Sequence, residues 1–230
     1  MKGERLAKRN VRTDVKAGKM PEIFSHESEY YQKPRQMNGA YLYSQEIVKY
    51  FIPNIKTDRN WVTIRSVPHC FNHSIVFIHN NLNAWFYDYL KNYDDLILVC
   101  GVPSTCEMVK HLGTPIYLPL SVPVEEIKKY RVSKTKHSAY AGREGKFASC
   151  NVPLSIPHLS NLTHDELLAE MAKYRNIYAV GRTAIEAKVL GCRIKPYDTR
   201  FPDPDVWQIV DTFDAIKILQ EKLDEIDGVV

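Results

Sequence analysis

Residues 179–192 read AVGRTAIEAKVLGC, and Gly181, Arg182, Thr183 and Glu186 within them are of types that bind anions and hydroxyls. An Ile-Tyr-Ala-Val run climbs into Gly181, and an apolar helical pattern starts directly after it. A helix opening at the end of a strand offers unpaired backbone N–H groups and the positive end of its dipole, which together suit an anion. Gly181 lets a ligand approach the backbone closely. Thr183 adds a hydroxyl, and Arg182 a planar guanidinium matched to phosphate. Glu186 lies about one turn further on, and its carboxylate accepts two hydrogen bonds, as a ribose diol would offer. The plainer alternative makes Glu186 a complement to the helix dipole and Arg182 a surface charge.

A second cationic turn lies upstream. In YAGREGKFA (140–148) a strand pattern runs into Gly142, and Arg143 and Lys146 follow within a turn. Two cations at a strand's carboxyl end suit a diphosphate, although an exposed basic turn would have the same text. The five cysteines (Cys70, Cys100, Cys106, Cys150, Cys192) form no CxxC pair, so they read as free thiols of a reduced, cytoplasmic protein. His69, Cys70 and His73 lack a second ligand pair, and no metal is expected.

The elements that must position these residues alternate. Helical spacing runs from about residue 40 to 52, across 83–92 and from Pro103 to Gly113. Apolar, β-branched runs at 61–66, 74–80, 95–102 and 115–122 read as strands, and LILVC is continuous enough for a sheet covered on both faces. The alternation then restarts, with strands at 137–143, 176–181 and 192–198 and helices at 163–175 and 182–191. Thr163 and Glu166 have capping-box spacing, and one or two helices close the chain. Residues 22–36 are polar and turn-rich, without periodicity. The expected fold is therefore α/β, with two Rossmann-like doubly wound parallel-sheet domains and a cleft between them. Boundaries are a basic arm at 1–36, a first domain at 37–122, a charged linker at 123–136, and a second domain with the C-terminal helix at 137–230.

At 44% hydrophobic and 25% charged residues, the composition is that of an ordinary soluble protein. No segment approaches a membrane span or a secretory signal. Residues 1–20 carry seven Lys or Arg against two acids, a composition that suits phosphate, nucleic acid or an anionic surface and equally a solvated, disordered terminus.

In order along the chain, these motifs resemble the retaining, sugar-nucleotide-dependent glycosyltransferases of GT-B fold, of the glycosyltransferase family 4 type. RTAIEAKVLGCRIK is similar to that family's donor element, with Glu186-Ala187 and Gly191 at matching places. YAGREGK is similar to the turn that opens its second domain, and DLILVCGVPSTCEMVKHLGTPIYLPLSV to the end of its first. NGAYLYSQEIVKYF is similar to its Gly-Gly loop and first helix. The resemblance implies a compact hexosyltransferase using a nucleotide-diphosphate sugar, UDP- or GDP-linked, with no permanently bound cofactor. It implies that Glu186 binds ribose, that Arg143 and Lys146 meet the diphosphate beside Gly142, and that Gly181, Arg182 and Thr183 present donors to phosphate or sugar. On the acceptor side His79, in FIHNN, is the positional choice for a catalytic histidine. The family's acidic residue ahead of the EA pair is replaced by Ala179, Val180 and Gly181. Other readings of the same residues are a non-catalytic sugar-nucleotide-binding subunit, and a transferase acting on modified DNA bases held by the basic arm.

Overall fold

A computed structural model of the chain describes residues 23–24, 39–64, 70–78, 84–142, 152–153, 155–198 and 203–228. Its architecture is α/β with two parallel sheets. The first holds β1 (Ile23–Phe24), β2 (Asn60–Ile64), β3 (Ser74–Ile78), β4 (Leu96–Cys100) and β5 (Thr114–Tyr117), in that spatial order. The second holds β6 (Lys136–Tyr140), β7 (Tyr174–Tyr178) and β8 (Arg193–Lys195), also in chain order. All neighbouring strands in both sheets are parallel. Neither order reverses, so strand order alone marks no topological switch point.

The first sheet is covered on both faces, and the period-2 alternation of its strands sorts side chains between two cores. Ile75, Phe77, Ile97 and Val99 pack with Tyr43, Ile47 and Phe51 from the helix α1 (Gly39–Glu46) and the π-helical turn Ile47–Phe51 that extends it. Val76, Ile78, Leu96, Leu98 and Cys100 face the other way, onto Leu90 of α3 (Ala84–Leu90) and Val109 of α4 (Pro103–Val109). The short helix α2 (Ile52–Asn54) ends the α1 segment. Burying a single such Leu or Phe side chain is worth roughly 1.5–3 kcal/mol, and all five residues of LILVC are buried.

In the second sheet Ala139, Ile177 and Ile194 point to a core shared with α6 (His164–Met171) and α7 (Arg182–Val189). On the opposite face Tyr140 packs with Val152 and Tyr197, and Tyr178 lies against them. The predicted capping box is present: the Thr163 hydroxyl accepts from the Glu166 N–H, and the Glu166 carboxylate accepts from the Thr163 N–H. α7 stops in a Schellman arrangement, with Gly191 at φ 80° and the Cys192 and Gly191 N–H groups bonded to the Ala187 and Lys188 carbonyls. Lys134 closes the ends of both helices, its Nζ donating to the Ala172 and Leu190 carbonyls at 2.8 Å each.

Three features differ from the sequence expectation. Two-residue β1 lies in a stretch too short and polar to show a period. The charged run after residue 123 is partly folded, since α5 (Val124–Lys128) buries Ile127 in the second core. The C-terminal helix α8 (Thr212–Asp227) follows the second sheet in the chain yet lays Ala215, Ile216, Leu219 and Leu223 on the first. Asp211 fixes that return crossing: its carboxylate accepts from the Phe213 N–H at 2.9 Å and from the Val124 N–H at 3.1 Å, capping α8 and α5 together.

Candidate functional site

The carboxyl ends of β6 and β7 are neighbours, with Tyr140 paired to Tyr178 and the Ala141 N–H bonded to the Tyr178 carbonyl. Their exit turns therefore share one edge of the second sheet. That edge gathers Gly142, Gly181, Arg182, Thr183 and Glu186, the donor-side residues expected from sequence. Arg143, Lys146 and His79 lie outside the described residues, as does Cys150.

Each glycine has a different reason to be there. Gly142 sits over the Tyr140 ring, and a Cβ would meet its hydroxyl oxygen at 2.4 Å. His158 Nε2 donates to the Gly142 carbonyl at 2.7 Å, so the turn is held from both sides. Gly181 instead has open space around it, but its backbone is at φ 63°, ψ −141°, a region other residues rarely enter. It is the N-cap of α7 and provides no side-chain cap, which leaves the helix start to backbone N–H groups alone.

Arg182 is not a surface charge. It is 7% exposed, and its guanidinium forms a fork on the Glu46 carboxylate, with Nη1 on Oε2 and Nη2 on Oε1 at 2.7 Å. Its Nε donates to Glu186 Oε1 at 2.6 Å. The guanidinium that was expected to meet a phosphate is thus already held by two carboxylates, one of them from α1 on the first sheet. Glu186, 1% exposed, receives a second hydrogen bond on the same oxygen from His164 Nε2 at 3.0 Å. Among the described residues no hydrogen bond reaches Glu186 Oε2.

Electrostatics follow from burial. Burial pushes the Glu186 carboxyl upward, but Arg182 and His164 outweigh it and hold it below the ordinary range. Burial dominates at Glu46, whose carboxyl stays above the ordinary range in spite of Arg182, with Glu186 adding repulsion. The Tyr43 hydroxyl, buried beside Glu46, is likewise pushed up, so it remains a neutral phenol. Arg182 is charged throughout, because the two carboxylates overcome its desolvation.

Sequence reasoning missed Glu46 and His164. Glu46 had a readable signal, a lone carboxylate between Tyr43 and Ile47 on the apolar side of its helix. His164 had little, being the first residue of a capping-box helix.

Elsewhere, the described cysteines Cys70, Cys100, Cys106 and Cys192 are free thiols. His73 is held by Asp58 at 3.0 Å and Asp95 at 2.5 Å. Among the described residues no group of three or more His, Cys, Asp or Glu is placed to hold a metal ion. No helix among them is long and apolar enough to cross a membrane. No family model, curated protein or solved structure matches the chain.

Proposed function

We propose that the chain binds a nucleotide-diphosphate sugar at the turn from β7 into α7 and transfers the sugar to an acceptor on the first-sheet side. The observation that carries this reading is the state of Glu186. One oxygen is anchored twice, by Arg182 and His164, while the other takes no hydrogen bond from the described residues. A carboxylate left that way beside a helix N-terminus has the chemistry to accept a ribose hydroxyl while the helix N–H groups face phosphate. Arg182 then serves the site as a scaffold for Glu186, not as a phosphate ligand. In this reading Arg143 and Lys146, next in the chain after Gly142, supply the positive charge that stabilises the departing diphosphate. His79 is the acceptor-side residue assigned to proton transfer. The order of motifs that resembles glycosyltransferase family 4 supports the same assignment.

The test is a thermal-unfolding and hydrolysis screen with UDP, GDP, ADP and TDP and their sugars, on wild type and Glu186→Gln. At 100 times its Kd a ligand stabilises by about 2.7 kcal/mol. Wild type should be stabilised by one base class and should slowly release free sugar from the matching donor, and Glu186→Gln should lose most of both effects. Wild type unmoved by every nucleotide, or a variant that responds as strongly, overturns the reading.

A further inference from the structure

We propose that Glu46 is a positioning residue for the nucleotide site: acting through Arg182, it sets the orientation of the Glu186 carboxylate and couples ligand binding there to the seating of α1 on α7. This rests on the nucleotide-sugar reading above. Glu46 belongs to the first sheet's layer, since the turn that follows it buries Ile47 and Phe51 in the core beneath that sheet. Arg182 belongs to the second sheet's layer, as the first residue of α7. The fork between them spans 136 positions of sequence.

A bidentate carboxylate fixes the plane of a guanidinium, not merely its position. With both Nη groups committed to Glu46, the remaining Nε–H has one direction, and that direction is Glu186 Oε1. His164 enters the same oxygen from α6, so the Glu186 carboxyl group cannot turn over without breaking two bonds. Oε2 takes no hydrogen bond from the described residues and is the oxygen that the nucleotide-sugar reading gives to the ligand. The groups facing this chain of contacts are Tyr43 and Glu46 from α1, Arg182 and Glu186 from α7 and His164 from α6. Burial keeps their mutual interactions strong, because little water screens them. A shift of α1 relative to α7 therefore reaches Glu186 through one rigid arginine, and the linkage is reciprocal: a ligand that prefers the anchored Glu186 must tighten the α1–α7 contact.

The experiment measures affinity for UDP and GDP by titration calorimetry, beside thermal unfolding, for wild type, Glu46→Gln and Ile47→Val. Ile47 is the buried neighbour of Glu46 and carries no polar group, so its variant reports loss of packing alone. Glu46→Gln should weaken whichever nucleotide wild type binds by about tenfold, within the range of ordinary allosteric couplings, while Ile47→Val stays within about twofold. Equal affinity in Glu46→Gln and wild type overturns the proposal. If wild type binds neither nucleotide, the functional reading fails and the positioning claim is decided without ligand. Glu46→Gln, His164→Gln and the double variant are then unfolded in urea. Among the described residues the hydrogen-bonded path between these two runs through Arg182 and Glu186, and the direct pull of His164 on the Glu46 charge is the smallest influence there, so a relay predicts that the double variant's unfolding constant departs at least about fivefold from the product of the single effects. A product obeyed to within about twofold sinks it.

Discussion

Two buried arginines organise this molecule, and they do so by different means. The Arg182 side chain is 6% exposed and Arg59 4%, but their carboxylate partners are not alike. Glu46 and Glu186 are 8% and 2% exposed, whereas the partners of Arg59, Asp95 and Asp227, are 54% and 29% exposed. Arg59 ties the loop before β4 and the end of α8 to the amino edge of the first sheet, using carboxylates that keep much of their hydration. Arg182 works at the carboxyl edge of the second sheet with partners that have lost theirs. A dry ion cluster is an expensive way to join two layers, because desolvation consumes most of the Coulomb attraction. The Arg182 cluster stands where α7 begins and joins α1 of the first sheet's layer to the second.

The largest test of that contrast removes each arginine. Arg182→Ala strands two buried carboxylates and should cost about 3–5 kcal/mol of unfolding free energy. Arg59→Ala leaves carboxylates that water can reach, and Asp95 keeps His73, so the loss should be near 1–3 kcal/mol. Urea denaturation of both variants at neutral pH measures the difference. Equal losses, or a greater loss at Arg59, would remove the distinction between dry and wet clusters.

Next in size is Gly181→Ala. The methyl group meets nothing within 4 Å, so any penalty comes from the backbone at φ 63° alone. That should be about 1–3 kcal/mol, with α7 starting less well and amide exchange at Arg182 and Thr183 rising. A variant as stable as wild type would show that α7 starts equally well without glycine at that positive φ, and that the turn stores no strain.

Apolar runs such as LILVC and the IVFI of β3 are legible as strands because a sheet covered on both faces buries every side chain along them. Thr163, Glu166 and Gly191 marked helix ends because capping is local chemistry. Both arginine clusters were illegible for the same reason: their partners are far away in sequence, Glu46 from Arg182 by 136 positions and Asp227 from Arg59 by 168. Glu186 is legible as a carboxylate among apolar neighbours with Arg182 four residues before it, but Glu46 of α1 and His164 of α6, which complete the cluster, depend on tertiary packing for their placement. The seat of α8 on the first sheet was hidden likewise, since its stripe of Ala215, Ile216, Leu219 and Leu223 says only that some apolar face must receive it.

The smallest expected effect belongs to the wetter cluster, and it is a matter of pH. Desolvation works against the charged form of His73, but its bonds to Asp95 and Asp58 prevail and raise it above 6.5. A histidine raised in the folded state contributes stability fully below its unfolded value, and that contribution fades as pH rises through the folded one. Asp95 runs the opposite way: burial lifts it, His73 and Arg59 outweigh burial, and it ends below 3.8. Its contribution is present above 3.8 and is lost as pH falls through the lowered value. The Arg59 cluster should therefore be strongest between these limits, from about pH 4 to about pH 6.5, and should weaken on the alkaline side as His73 gives up its proton. Replacing His73 with Gln should flatten the unfolding free energy between about pH 6 and pH 8 while changing it by no more than about 1 kcal/mol at the acid end of that interval, since exposed pairs are worth little. Arg59 should remain bound to Asp227 in the variant, because that pair does not involve the imidazole. An unaltered pH slope in His73→Gln would mean that the imidazole does not take up its proton on folding, and the Arg59 cluster would then be as indifferent to pH as its surface carboxylates alone.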